Sequence, residues 1–176
     1  MKKLTLIALA LAAIVGSAAF ASTRLWAASP AAASPRVAVA QPCGEQVLFG
    51  HVKSVTPKGG RFELQFDPAW FTSGLTASRA SLEDTGYGDV ANDNYVVEEG
   101  HRLLTYILPA NAHISVLTKE GRLDSGGFPS TAVTPSQLAE LLAGNQPVKL
   151  FEGLSTGFWM HVHVDTVCSL RQQYRP

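Results

Sequence analysis

Short runs of β-branched, aromatic and other apolar residues, separated by turn-forming residues, recur along most of this chain. The run 46–55 is followed by a Pro-Lys-Gly-Gly turn and by the alternating segment 61–66, a pattern typical of a β-hairpin. We expect Asp67-Pro68 to end that second strand. The other predicted strands are 95–98, 103–108, 114–118, 158–164 and 166–171, and 121–129 is predicted to be a flexible loop. Strands of this length favour a β-rich domain.

A first short helix is expected over 73–84, where small and helix-compatible residues precede Gly86, a typical stop signal. Leu75 and Leu82 are seven residues apart on this helix, so they share one helical face. We expect that face to point inward, towards the sheet.

The second helix has the clearest local signal in the chain. Thr134 can act as the N-cap, Pro135 suits the first helical position, and Gln137 completes a capping box. Gly144 is expected to end this helix. Together, the two helices and the strands predict an α+β fold: a curved or barrel-like antiparallel sheet of about six or seven strands with two short helices, in a single domain.

The N-terminal 21 residues have the pattern of a secretory signal peptide. Two lysines are followed by about a dozen apolar residues, and small residues precede Ala21, after which we expect cleavage. Residues 22–42 are rich in alanine, serine and proline and contain few large apolar side chains, which predicts a flexible tether. The globular domain is expected to span residues 43–176. An uncleaved membrane anchor is the alternative to cleavage.

The charge balance argues against two classes of partner. The chain has 14 basic and 14 acidic residues, and removal of Lys2 and Lys3 with the signal peptide leaves 12 against 14, a net charge of −2. A mildly acidic domain has no electrostatic attraction for nucleic acid or for an anionic membrane surface. We therefore predict no nucleic-acid partner and no stable membrane insertion after cleavage.

Two cysteines, Cys43 and Cys168, lie near the two ends of the predicted domain. In an exported chain the simplest interpretation is a single disulfide bond between them. That bond would join the two ends of the domain and close a loop of about 125 residues, which corresponds to an upper stabilisation of about 4–5 kcal/mol. The alternative is a pair of buried thiols.

His161 and His163 are two residues apart on one predicted strand, so their side chains leave the same face of the sheet. They could supply two ligands to zinc or copper, with a third ligand from His51, His113 or Asp165. The alternative is that both histidines lie on a solvated face while their neighbours Met160, Val162 and Val164 face the core. No cofactor is predicted.

Two other segments resemble known kinds of site, a hydrolase serine motif and a calcium-binding loop. Gly153-Leu154-Ser155-Thr156-Gly157 matches the G-x-S-x-G pattern of hydrolases, whose serine stands on a turn from a strand into a helix. Here a strand is expected after Ser155, so we assign no catalytic residue. An acidic segment over 83–99 offers oxygen ligands for calcium but lacks EF-hand spacing, and we interpret it as a solvated loop.

The sequence resembles a widespread group of exported bacterial β-rich domains. The motifs that carry the resemblance are Arg61–Ala69, Asn92–Val97, Phe158-Trp159 and Gln173–Pro176, so the resemblance runs from about Gly50 to the end of the chain. The group has no assigned activity, so the resemblance implies no functional residues.

This chain departs from the group at two places. Asp165-Thr166 stands where the group usually has a glycine-containing turn. His161 and His163 stand where the group has ordinary polar residues, which weakens the metal hypothesis.

These observations favour a non-enzymatic exported module, periplasmic or extracellular, that binds an unidentified protein or small ligand. Export, a disulfide-closed domain and the lack of a credible catalytic set support that interpretation. The second hypothesis is a small metal-dependent or hydrolytic enzyme that uses His161, His163 or Ser155. The third is a structural module of the cell envelope, tethered by residues 22–42.

Overall fold

The structure is a computed structural model that describes residues 44, 46–98, 100, 102–124 and 126–175. The predicted signal peptide, the predicted tether and Cys43 lie outside these residues. The described residues form eight β-strands in one sheet system and two α-helices.

The strands are β1 (Gln46–Lys58), β2 (Arg61–Ser73), β3 (Asn94–Glu98), β4 (Leu104–Leu108), β5 (His113–Leu123), β6 (Pro129–Val133), β7 (Phe158–His163) and β8 (Thr166–Gln172). The helices are α1 (Gly74–Thr85) and α2 (Pro135–Leu142), and short 3₁₀ turns occupy Ala91–Asp93 and Leu154–Thr156.

Five of the strands close into a barrel. β1 pairs with β2 and β7, β2 pairs with β4, and β7 pairs with β8, all antiparallel. A parallel contact between Ile107 of β4 and Thr166 of β8 completes the ring. With a helix between its third and fourth strands, this barrel has the connectivity of an OB-type barrel. The predicted α+β, barrel-like fold is confirmed, with eight strands where six or seven were expected.

Three strands extend the sheet beyond the barrel. β3 pairs with the last residues of β2, from Ala69 to Ser73. β5 lies parallel to the end of β8, and β6 pairs with β5. β8 therefore pairs with β7 in the antiparallel sense and with both β4 and β5 in the parallel sense.

Alternate side chains of the barrel strands point inward and form the main core. Leu64, Phe66 and Leu108 from one side of the barrel and Phe158 and Met160 from the other are all fully buried. Burial of side chains of this size contributes about 1.5–3 kcal/mol each, so this interior is the principal source of stability.

Helix α2 packs against the barrel core and begins as predicted. The Thr134 hydroxyl accepts a hydrogen bond from the Gln137 backbone N–H at 3.2 Å, and the Gln137 side chain accepts one from the Thr134 N–H at 2.9 Å. Leu138 and Leu141 are buried in the main core. The capping box therefore fixes the start of a helix whose apolar face packs on the barrel.

Helix α1 has the predicted span but the opposite orientation. Leu75 is 90% exposed and Leu82 is 54% exposed, so the prediction that they face inward is wrong. Ala77 and Ser81, four residues apart, are the buried residues of the helix. Small side chains allow the helix backbone to approach the sheet closely, which leaves no room for leucines on that face.

Two predicted boundaries on the chain are also wrong. Asp67-Pro68 does not end β2, because Pro68 pairs opposite Gly50 and the strand continues to Ser73. A Cβ on Gly50 would lie 2.2 Å from the Asp67 carbonyl oxygen, so only glycine permits this approach. In addition, β5 and β6 extend into the segment 121–129 that was predicted to be a flexible loop.

Candidate groove on the outer sheet face

Three neighbouring strands, β5, β8 and β7, bring five polar side chains and one aromatic ring together on the outer face of the sheet. In one row across the strands, His113 pairs with Ser169, which in turn pairs with His161. In the next row, Ser115 pairs with Arg171, and Arg171 pairs with Trp159. These residues share one face because residues two apart on a strand, and residues paired across strands, point the same way.

The intervening residues of the same strands point into the domain. Ile114 on β5, Leu170 on β8 and Met160 on β7 are buried, which fixes the opposite face for their polar neighbours. A one-residue slip of any strand would move its apolar side chains to the surface. The core therefore determines which residues form the outer rows.

A groove of about 600 Å³ lies over these rows. Its lining combines short side chains, from Ala112, Ser115, Ala132 and Ser169, with long polar ones, from His113, His161 and Arg171. Its lining residues are Ala112, His113, Ile114, Ser115, Ala132, Val133, His161, Ser169, Leu170 and Arg171. This volume is in the range of small-molecule sites.

The polar groups of the groove are uncommitted within the described part of the chain. No hydrogen bond or ion pair among the described residues involves the side chains of His113, His161, Arg171, Ser115 or Ser169. No aspartate or glutamate lines the groove. The site therefore presents a guanidinium, two imidazoles and two hydroxyls, without a carboxylate to neutralise the guanidinium.

Trp159, which pairs with Arg171 on the neighbouring strand, belongs to a fixed aromatic cluster. Its indole N–H donates to the side-chain oxygen of Gln173 at 2.7 Å. Its ring packs against Phe49, with ring centres 5.1 Å apart, and against Phe71 at 5.7 Å. These contacts hold the indole in one orientation.

His161 and His163 do leave the same face of β7, as predicted, but they have different surroundings. His161 is half-buried in the groove, whereas His163 is exposed beside the β7–β8 turn. Met160 and Val162 are buried as expected, but Val164 lies in the turn and is 77% exposed. The described residues contain no group of three histidine, cysteine or acidic side chains placed to hold a metal ion.

Ser155 lies on the 3₁₀ turn Leu154–Thr156, which leads into strand β7. This order is the reverse of the strand-to-helix turn that activates the hydrolase serine. The loop is instead held by the buried side chain of Gln172, whose amide donates to the carbonyl of Gly153 at 3.0 Å and to the Thr156 hydroxyl at 3.1 Å. The motif is therefore a structural connection.

The acidic residues near α1 are engaged with different partners. Glu83 pairs with Arg79 at 2.9 Å on the helix surface. The Tyr95 hydroxyl donates to Asp84 at 2.5 Å, and this hydrogen bond raises the pKa of Tyr95 above its usual value. Glu98, the last residue of β3, pairs with His51 of β1. This dispersion agrees with the interpretation of the segment as a solvated surface.

His51 and Glu98 form a hydrogen-bonded pair of 2.7 Å between β1 and β3. His51, considered above as a third metal ligand, is thus used in a contact with Glu98 and does not line the groove. Asp165 lies in the β7–β8 turn, and its backbone carbonyl accepts from the Ile107 N–H at 2.8 Å.

Cys168 is half-buried on β8, at a point where the register between β7 and β8 shifts. Its predicted partner, Cys43, lies outside the described residues, so the disulfide stays a prediction. Gly44 lies against the backbone of Val162, and a Cβ there would be 2.5 Å from the Val162 carbonyl oxygen. Val162 pairs with Val167, the neighbour of Cys168, so the chain enters the domain close to that cysteine.

OB-type barrels commonly bind ligands on their second and third strands and on the loops between strands one and two and between four and five. In this barrel Lys58 contacts Glu63 at the β1–β2 turn and Lys53 contacts Asp67 at 2.9 Å, whereas Arg61 has no ion pair among the described residues. The groove on β5, β8 and β7 gathers more uncommitted polar groups and is the better candidate site.

The sequence alone suggested only part of this site. His161 was singled out as a possible ligand and His113 only as a possible third one, whereas Arg171, Ser115 and Ser169 were missed. On β5 the buried Ile114 and Val116 flank Ser115, and on β8 the buried Leu170 and Gln172 flank Arg171, so this alternation places both residues on the outer face. The pairing of β5 with β8 has no local signal.

No family model, no curated protein and no solved structure matches this chain. No helix among the described residues is both long enough and apolar enough to span a membrane.

Proposed function

We propose that this chain is an exported, non-enzymatic binding module and that the groove over β5, β8 and β7 is its ligand site. The observation that carries the proposal is the set of five hydrogen-bonding side chains, unpaired within the described residues, that line one groove of about 600 Å³. Export is supported by the sequence pattern of residues 1–21.

The groove suits binding more than catalysis. It contains hydrogen-bond donors and acceptors but no nucleophile paired with a general base among its lining residues. Ser115 and Ser169 are the only hydroxyls in the lining, and neither donates to or accepts from an imidazole in the described structure. Recognition by preformed hydrogen-bonding groups is the simplest use of such an arrangement.

The proposal is tested by NMR with ¹⁵N-labelled domain and a mixed library of anionic, cationic and neutral fragments. We expect the amides of Ser115, Ser169 and Arg171 to shift with at least one fragment. Ser169→Trp fills the groove with a large ring and should abolish these shifts. Thr105→Trp, on the exposed face of β4, is the matched control and should leave them unchanged.

Two outcomes would contradict the proposal. If no fragment perturbs the groove amides, or if Thr105→Trp and Ser169→Trp have equal effects, the groove is not a ligand site. If a fragment that binds is also chemically converted, the module is an enzyme, and the second hypothesis from the sequence replaces this one.

A further inference from the structure

We infer that the ligand of this groove is a small molecule that carries an oxyanion, either a carboxylate or a phosphate group. This inference rests on the proposed binding function and adds the chemical class of the ligand.

The side chain of Arg171 has the charge and the donor geometry that suit an oxyanion. Its guanidinium is always charged at physiological pH and presents donors in a fork that matches two oxygens of a carboxylate or phosphate. Arg171 is exposed at the groove and forms no ion pair among the described residues. Arg61 and Arg122 also form no ion pair among the described residues, but neither of them lines the groove.

The row of side chains beside Arg171 consists of His113, Ser169 and His161. His113 and His161 are separated by Ser169 on the strand between them, which places their backbones about 10 Å apart at normal strand spacing. Two imidazoles at this separation can both reach a group that rests on the small serine. Each imidazole has an N–H donor in either tautomer, and the serine hydroxyl adds another.

The charge of the residues around Arg171 also favours an oxyanion as its partner. No carboxylate lines the groove, so nothing in the lining competes for the guanidinium. The nearest acidic residue that shares a cavity with Arg171 is Asp124, in an adjoining cavity of about 90 Å³. One of its oxygens already accepts from the backbone N–H groups of Gly126 and Phe128, at 2.8 and 3.0 Å. An incoming oxyanion would therefore be the direct partner of Arg171.

The experiment titrates the ¹⁵N-labelled domain with inorganic phosphate, with succinate and with succinamide, which is the uncharged counterpart of succinate. We expect phosphate or succinate to shift the groove amides in a saturable manner, and succinamide to bind at least tenfold more weakly. Arg171→Gln should weaken binding of the anion about tenfold or more. Arg61→Gln, at the exposed β1–β2 turn, removes the same charge and should change the affinity less than twofold.

Each alternative result has a definite meaning. If neutral fragments bind the groove but phosphate and succinate do not, the oxyanion inference is overturned while the proposed function stands. If no compound binds the groove, both fail. If Arg171→Gln and Arg61→Gln weaken binding equally, the anions are adventitious ions only, and the inference is overturned.

A lipid headgroup and a free metabolite share this oxyanion chemistry. Sedimentation with vesicles that contain phosphatidylglycerol distinguishes the two sources. Binding to vesicles that is lost in Arg171→Gln and kept in Arg61→Gln assigns the oxyanion to a headgroup. Binding of the soluble anions without binding to vesicles assigns it to a free small molecule.

Discussion

The turn between β7 and β8 stores strain that a single substitution should release. Val164 is the first residue of this two-residue turn and has φ +56°, in the left-handed region. Glycine is usual at such positions and asparagine tolerates a positive φ, whereas for most other side chains the left-handed conformation costs about 1–2 kcal/mol. A β-branched side chain is among the least tolerant of it. We expect Val164→Asn to stabilise the domain.

The magnitude follows from the strain and from the contacts that are lost. The side chain of Val164 is 77% exposed, so it retains about a quarter of the 1.5–3 kcal/mol that full burial gives, about 0.4–0.7 kcal/mol. Subtracting this from the strain of about 1–2 kcal/mol leaves about 0.3–1.6 kcal/mol in favour of the variant. For a domain of this size, that raises Tm by about 1–6 °C.

Urea unfolding monitored by tryptophan fluorescence measures the change in the free energy of unfolding. Val47→Asn is the matched control, because Val47 is 49% exposed on β1 and has extended strand backbone. That variant should be destabilised by up to about 1 kcal/mol, since asparagine is a poor strand residue. If Val164→Asn is no more stable than the parent, or if both variants lose stability equally, the strain argument is wrong.

Three further predictions follow from the packing, the cysteines and the titration of one tyrosine. Ala77→Leu should destabilise the domain by about 1–3 kcal/mol in thermal unfolding, because α1 has no space at that buried position. Leu75→Lys, at a position that is 90% exposed, should change stability by less than about 0.5 kcal/mol. Non-reducing peptide mapping of exported protein should recover the peptides of Cys43 and Cys168 as one linked species; recovery of two free thiols would contradict the disulfide. Burial raises the pKa of Tyr106 above its ordinary value of 10.0, so the folded state holds the phenolic proton more tightly than the unfolded state does. The free energy of unfolding that this difference contributes is lost as the pH rises through and beyond that value. Tyr106→Phe should show a smaller loss in urea unfolding above about pH 10, and an unchanged pH profile would refute the assignment.

The parts of the fold that were predicted correctly are those with a local chemical signal. The start of α2 depends on Thr134 and Gln137, which are three residues apart, so its capping box is visible in the sequence. The face of α1 was predicted wrongly because Leu75 and Leu82 suggested an apolar stripe. The actual contact is made by small residues, whose burial depends on how closely the sheet lies beneath them.

The groove could not be predicted because it depends on register between distant strands. His113 and Ser169 are far apart in the chain and become neighbours only through the parallel pairing of β5 with β8. Arg171 had no motif around it. Its position follows only from the structure, which places it on the outer face beside two histidines and away from any carboxylate in the lining.

The position of β8 in the order of the strands has a consequence for how this protein acquires its shape. β8 is the last of the eight strands, yet it contacts β4, β5 and β7, and it supplies Ser169 and Arg171 to the groove. Until β8 joins the sheet, the edges of β4, β5 and β7 that pair with it stay open. Such non-local pairing slows folding and favours aggregation of incompletely folded chains. A chain that lacks β8 has neither a closed ring of strands nor the Ser169 and Arg171 side chains of the groove.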